Sequence, residues 1–289
     1  MAAADYAPPQ PREVKSVSTL TGAVEFFERL QAEPGTQSVF RGHADANWKV
    51  IPSIFRDDMD VFRHESSIIR ELIALYPNEF DADRTMFDRL VRMQHFGLRT
   101  RLMDVSRDPL VGLYFAVEEG PLDDVDGGVI VLSVPHDRKK FYDSDAVSCI
   151  ANLSSLSDTE KNTIENTKAN TIVELHKIHA VDRLYQFIRA EKPEFMPRIK
   201  REDLFKPYYV TPKMANKRII AQKGSFVIFG LRRTKSPEFK RGIRGTMLRI
   251  PAGAKPDIRV SLRKLGYDDS TLFPDIERSA RQIMRNYAS

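Results

Sequence analysis

Apolar residues recur at helical spacing through Thr19–Leu30, where Val24, Phe26, Phe27 and Leu30 share a face and Pro34-Gly35 stops the run. A short strand is predicted over Ser38–Arg41, a turn from Gly42 to Asn47, and a second strand over Trp48–Ile51. The pattern then becomes helical. His64–Phe80 gathers Ile68, Ile69, Leu72, Ile73 and Tyr76 on one side, and Thr85–Phe96 forms a further helix that Gly97 caps. Leu98–Val105 reads as a loop or a short strand. Asp108-Pro109 sets an N-cap before a proline at the first helical position and opens a helix through Glu119. Gly127-Gly128 precedes a strand over Val129–Val134.

The middle of the chain differs. Ser157-Asp158-Thr159-Glu160 matches a capping box, and the polar stretch onward to Glu191 carries a partial apolar stripe of Leu175, Ile178, Leu184, Phe187 and Ile188. Residues 143–206 are therefore predicted to form a helical insert. Strands follow at Tyr208–Val210, Ser225–Gly230 and Thr246–Ile250, with a short helix at Lys213–Ala221 and a closing helix at Pro274–Tyr287. Residues 1–15 begin Ala- and Pro-rich, lack the pattern of a signal peptide and read as a flexible leader to one domain over 16–289. Strands that fall late and in a cluster predict an α+β fold rather than a doubly wound sheet.

Composition narrows the classes. The chain of 289 residues is 42% hydrophobic and 29% charged, enough for one large core under a well-solvated surface. A net charge of +5 tilts it mildly toward anionic partners. Cys149 is the sole cysteine, so an internal disulfide and a thiolate metal cage are excluded, which fits a reducing cytoplasm. No apolar run approaches the about 18 residues that a membrane span needs. His176 and His179 sit one turn apart without a carboxylate motif, so no metal is expected; a phosphate-binding P-loop and a Gly-x-Gly-x-x-Gly fingerprint are also missing.

Two stretches place charged side chains inside apolar runs. In Phe40-Arg41-Gly42, strand alternation sends Phe40 to the core and Arg41 to the other side, with Gly42 letting a ligand approach the backbone. Arg suits phosphate or the polar edge of a nucleotide because its planar fork makes paired bonds; the alternative is a structural Arg tying loops to a carboxylate such as Asp104. In Thr100–Ser106, Arg101 and Asp104 pair with each other or with Arg41, and either Ser106 or Thr100 is placed to donate to a ligand. Gln222, just before Gly224 and an apolar strand, either bonds a sugar hydroxyl or caps a strand edge. Asp275 and Glu277 follow Pro274 in a first helical turn, where acidic residues suit the dipole.

These stretches resemble the FRG domain family, named for Phe-Arg-Gly. The motifs are Phe40-Arg41-Gly42, Trp48-x-x-x-Pro52-Ser53-x-x-Arg56, Gln94-His95-x-Gly97-x-x-Thr100-Arg101-Leu102-x-Asp104, Pro109-Leu110-x-x-Leu113-Tyr114-Phe115-Ala116, Gln222-x-Gly224-x-Phe226 and Leu272-Phe273-Pro274-Asp275. They run in order from about residue 20 to 285, with Val105 standing where a Trp often follows the Asp. A weaker resemblance, to ADP-ribosyltransferases, rests on the order of Arg41-Gly42, Tyr114-Phe115-Ala116 and Gln222-x-Gly224-x-Phe226. It implies a split α+β sheet, antiparallel or mixed, with surrounding helices and a cleft for NAD as co-substrate. Arg41, Gly42, Arg101, Ser106 and Tyr114 would bind that cofactor, with Tyr114 stacked on the nicotinamide. Gln222 would stand at the catalytic position, where a neutral amide cannot replace a carboxylate, so Asp104 or Glu277 would supply the charge. The implied activity is ADP-ribose transfer of toxin or phage-defence type onto a nucleic acid, with an antitoxin or immunity partner. Basic runs at 198–201, 232–244 and 259–264 fit such an acceptor. A non-catalytic nucleotide- or nucleic-acid-binding module and an NAD hydrolase are the competing outcomes.

Overall fold

The computed structural model describes residues 11–30, 33–56, 60–169, 171–214, 216–231 and 242–274. Its strands are β1 (Arg12–Ser16), β2 (Thr36–His43), β3 (Leu102–Ser106), β4 (Gly127–Pro135), β5 (Lys139–Phe141), β6 (Tyr208–Thr211), β7 (Gly224–Ile228) and β8 (Arg244–Ile250). They form one mixed sheet in the spatial order β1-β8-β4-β2-β3-β7-β6-β5. The two outer pairs, β1 with β8 and β5 with β6, are parallel, and the inner pairs are antiparallel. The fold is α+β, as the clustering of strands predicts.

Central β4, with the sequence Gly-Gly-Val-Ile-Val-Leu-Ser-Val-Pro, is buried along most of its length, as a strand covered on both faces should be. On one face Phe40, Val129, Val131, Leu248 and Ile250 pack against α1 (Leu20–Glu28), α4 (Pro109–Ala116) and a late helix over Lys255–Lys264. On the other, Val39, Ile130 and Leu132 meet Ile51, Ile54, Phe55 and Phe62. Farther along the sheet, Leu102, Phe226 and Ile228 pack against α2 (Glu65–Leu75) and α3 (Met86–His95). The helical segment between parallel β5 and β6 is the long crossover that such a pair requires, and it builds its own core from Leu153, Ile164, Leu184, Ile188 and Phe205.

Local signals in the sequence hold. Asp108 accepts from Leu110 N at 2.9 Å and caps α4, Gly97 closes α3 in the left-handed region at φ 86, and the Ser157–Glu160 capping box forms. Other expectations are corrected. Trp48–Ile51 forms turns rather than a strand, and β2 runs on through Gly42 to His43. Pro77, which cannot extend a helix, ends α2 and opens a separate 3-10 turn over Pro77–Phe80. Residues 12–15, read as part of a leader, belong to β1, on the edge of the sheet beside β8. The closing helix and Glu277 lie outside the described residues.

The register of the central strands opens the sheet at one point. β2 pairs with β4 from Thr36 to His43, and β3 pairs with β7 from Leu102 to Ser106. Between β2 and β3 only Phe40 and Ser106 are in register. Beyond that point the two central strands diverge, and a wedge opens between residues 41–43 and 103–105.

Gly42 sits at this opening, and its strand position rather than a turn explains it. A Cβ there would lie 2.6 Å from Ala116 N and 2.6 Å from Phe115 Cβ, and closer still to the Gly112 carbonyl. The missing side chain lets α4 rest directly on β2. Gly42→Ala is expected to lower stability by about 1–3 kcal/mol, the usual cost of overpacking; chemical denaturation measures it, and an unchanged midpoint would contradict the packing.

Candidate functional site

The wedge is a cleft of about 280 Å³. Its walls come from the tip of β2 (Phe40, Arg41, Gly42), the exposed edge of β3 (Asp104 to Ser106), α4 (Val111, Gly112, Phe115), α3 (Gln94, His95) and the turn into β7 (Gln222, Gly224). The segments around 41, 104–116 and 222–226, distant in sequence, meet here.

Arg41 lies at the base. Its Nη1 donates to the Asp104 carbonyl at 2.7 Å and its Nε to His43 Nε2 at 3.0 Å. The guanidinium thus bridges the divergent strands and satisfies a backbone carbonyl that the split would leave unpaired. Both acceptors are uncharged. Burial pulls the Arg41 pKa below its ordinary value, against the pull of the Asp104 carboxylate and assisted by the Arg56 charge. The guanidinium nevertheless stays protonated.

His43 is 1% exposed, and burial, with the Arg41 and Arg56 charges, lowers its pKa to about 2. The ring is therefore neutral, with Nε2 as the acceptor for Arg41. The folded chain refuses a proton that the unfolded chain takes up below about 6.5. Stability should fall as pH drops below that value, by about 1.4 kcal/mol per unit for this group, and stay level above it. His43→Gln keeps an acceptor and should remove this slope. Denaturation at pH 7 and pH 5 tests it, and identical acid losses in both proteins would refute it.

The Asp104 side chain is exposed to the cleft and oriented from α3: Gln94 Nε2 donates to Oδ2 at 2.6 Å, and Thr100 Oγ1 donates to Gln94 Oε1 at 2.5 Å. A carboxylate thus faces the cavity near the Arg41 cation. Glu118, just past α4, brings a second carboxylate to the wall.

Other expected site residues serve different ends. Ser106 Oγ donates to the Gln222 carbonyl at 2.7 Å and accepts from Asp108 N at 2.9 Å, and Gln222 Nε2 donates to the Leu272 carbonyl at 3.0 Å. Both line the cleft, but their polar atoms fasten its wall. Tyr114 is corrected: it is 6% exposed, its hydroxyl donates to Asp269, and it faces away while Phe115 lines the cleft. Successive helical residues point about 100° apart, so the two cannot share a face. Arg101 is corrected too. It is fully buried away from the cleft, bound to Glu65 through Nε at 2.9 Å and to the Phe229 and Gly230 carbonyls through Nη1. Three positions separate it from Asp104, and on extended backbone an odd separation puts side chains on opposite faces.

The sequence reading missed Phe115, Glu118, Gln94 and His95. Gln94 and His95 stand within the Gln94-His95 motif and Phe115 within Tyr114-Phe115-Ala116, which were the available signals. Cys149 offers no nucleophile, since burial pushes its thiol up to about 12. Among the described residues no cluster of three or more His, Cys, Asp or Glu is placed to hold a metal, and no helix is long and apolar enough to cross a membrane. In the basic run 259–264, Arg259 pairs with Asp123 at 2.5 Å and Arg263 with Glu119 at 3.0 Å, so part of that charge is neutralised.

No curated protein and no solved structure matches the chain. A family model does, described as the FRG domain, over residues 36–124. That span covers β2, the Trp48 turn, α2, α3, β3 and α4, which supply most of the cleft; the Gln222 and Leu272 motifs fall outside it. The cleft is thus largely the work of residues 36–124, the stretch that matches the FRG domain.

Proposed function

We propose that the cleft binds NAD and transfers its ADP-ribose unit to a nucleic-acid acceptor. The observation that carries this reading is Arg41, a half-buried guanidinium whose partners are a neutral imidazole and a backbone carbonyl, beside a solvent-facing carboxylate. A desolvated cation with no ion pair among the described residues favours an anionic ligand. A fixed carboxylate next to it suits a reaction that builds positive charge on a sugar.

In the reaction the bond between the ribose anomeric carbon and the nicotinamide nitrogen breaks, and nicotinamide leaves with the electron pair. Asp104, held by Gln94, stabilises the oxocarbenium-like carbon. An acceptor nitrogen or oxygen bonds to that carbon and gives its proton to Asp104. Arg41 anchors the ribose–phosphate end, and Phe115 takes the ring-facing place that the resemblance gave to Tyr114.

A nucleic acid is proposed as acceptor on the net charge of +5 and on Trp48, which is 40% exposed at the cleft with Arg56 over its ring at 5.7 Å, a pairing on which a base can stack. The reading places the protein in the cytoplasm, where both NAD and nucleic acid are at hand. Unchecked, such chemistry would harm the cell that makes it. A toxin or phage-defence role, with an antitoxin or immunity partner, belongs to the same proposal.

Incubation with NAD labelled in its adenylate, together with DNA or RNA, tests the reading. Label should appear on the nucleic acid, and Asp104→Asn should slow transfer by about 10²- to 10³-fold while NAD still binds. Free ADP-ribose alone would make the protein a hydrolase. Binding without turnover would make it a nucleotide-binding module.

A further inference from the structure

A separate cavity of about 240 Å³ shares none of its described lining residues with the cleft. Three helices build it by their spacing. Ser66, Ile69, Arg70 and Ile73 of α2 lie at i, i+3, i+4 and i+7, one face of a helix. Met86 and Arg89 of α3 are three apart, and Phe187 and Glu191 of the crossover helix His179–Glu191 are four apart, so each pair shares a face. Arg84, exposed just before α3, stands at the rim.

The charges in this cavity are unbalanced. Arg70 donates to two neutral acceptors, the Ser66 carbonyl at 3.0 Å and the Ser155 carbonyl at 2.8 Å. Among the described residues Arg70, Arg84 and Arg89 form no ion pair, and Arg89 Nε is buried with no hydrogen-bond partner. Glu191 brings the one carboxylate of the lining. Its Oε2 accepts from Met86 N at 2.7 Å, while its Oε1 is buried with no partner among the described residues. Burial raises its pKa. A donor and an acceptor left open in one cavity call for an occupant that satisfies both.

We infer that this cavity binds a small phosphate monoester, with the phosphate among Arg70, Arg84 and Arg89 and the organic body against Ile69, Ile73 and Phe187. Planar guanidinium forks are the donors best suited to phosphate oxygens. Arg89 Nε gains its missing acceptor in this way. One proton, on the Glu191 carboxyl or on a monoester oxygen whose second pKa is about 6, joins Oε1 to the phosphate. Size limits the occupant. The cavity lies below the about 300 Å³ at which pockets for drug-sized ligands begin, so the body attached to the phosphate is small. The inference stands apart from the NAD reading, because no residue of the cleft takes part in it.

Calorimetric titration of the full chain with inorganic phosphate and phenyl phosphate tests this. Phenyl phosphate should bind about ten-fold more tightly than inorganic phosphate, because its ring buries apolar surface that the bare ion lacks. In Arg84→Gln/Arg89→Gln, phenyl phosphate should bind about 30-fold more weakly, while Arg41→Ala, altered in the cleft, stays within about two-fold of wild type. Should the double variant melt early, Arg84→Gln alone is read instead. Its side chain is exposed, and its loss should still weaken phenyl phosphate by about five-fold. Three results would each overturn the inference: no binding of phenyl phosphate by folded wild type, equal affinity for phosphate with and without the ring, or loss in Arg41→Ala with the arginine variants unchanged.

Discussion

Arg41→Ala should weaken NAD binding by about 10²- to 10³-fold, the usual loss when a desolvated, charge-assisted pair of hydrogen bonds to an anionic ligand is removed. Arg41→Lys should not rescue it. A lysine keeps the charge but cannot both hold the Asp104 carbonyl and present two parallel donors to a ligand. The Ala variant also strips that carbonyl of its donor, so a stability loss of about 1–3 kcal/mol should accompany the binding defect. The Lys variant separates the two effects, since an ammonium can still reach one acceptor. Titration of both variants with NAD, beside their denaturation curves, checks this. Wild-type affinity in either protein would remove Arg41 from the site.

Glu65→Gln should cost about 3–5 kcal/mol of stability, the range for breaking a buried ion pair. Against a total of about 5–15 kcal/mol for a folded domain, that leaves the chain marginal. Glu65 is 2% exposed and takes both Arg101 and Lys161, the latter at 2.6 Å. Burial by itself would raise the Glu65 pKa, but the two cations override it and bring it down to about 2. Substitution by an amide leaves Arg101 and Lys161 buried without a counter-charge. The triad joins α2, the helical crossover and the start of β3, and Arg101 also grips the end of β7 through the Phe229 and Gly230 carbonyls. Replacing all three members with apolar residues of similar volume should recover most of the loss. A Glu65→Gln midpoint equal to that of wild type would mean the triad is not what holds these elements together.

Features governed by near neighbours were legible in the chain. Strand alternation separated Phe40 from Arg41, Asp108-Pro109 marked a helix start, Gly97 marked a helix end, and the Ser157 capping box formed. What escaped was set by distant contacts. Arg101 looked like a partner for nearby Asp104, yet its carboxylate is Glu65, 36 residues away, and Lys161 lies 96 residues from Glu65. No local pattern announces such a triad. The choice between Tyr114 and Phe115 was closed for another reason. Helix α4 is apolar on nearly every side, so periodicity does not single out the face toward the cleft. Gly42 reads as a turn residue because Gly followed by polar residues usually is one. Here the close approach of α4 decides its identity, and that is visible only in three dimensions. The exposed strand β1 carries no apolar alternation at all, since an edge strand held by backbone pairing needs none.

The central claim is that the wedge between β2 and β3 cleaves the glycosidic bond of NAD. The release of free nicotinamide from NAD by the purified chain, with single-stranded nucleic acid present, tests it most directly. The account predicts steady release by wild type and near-complete loss in Asp104→Asn. No release by folded wild-type protein that binds NAD, or equal release by the variant, would contradict it.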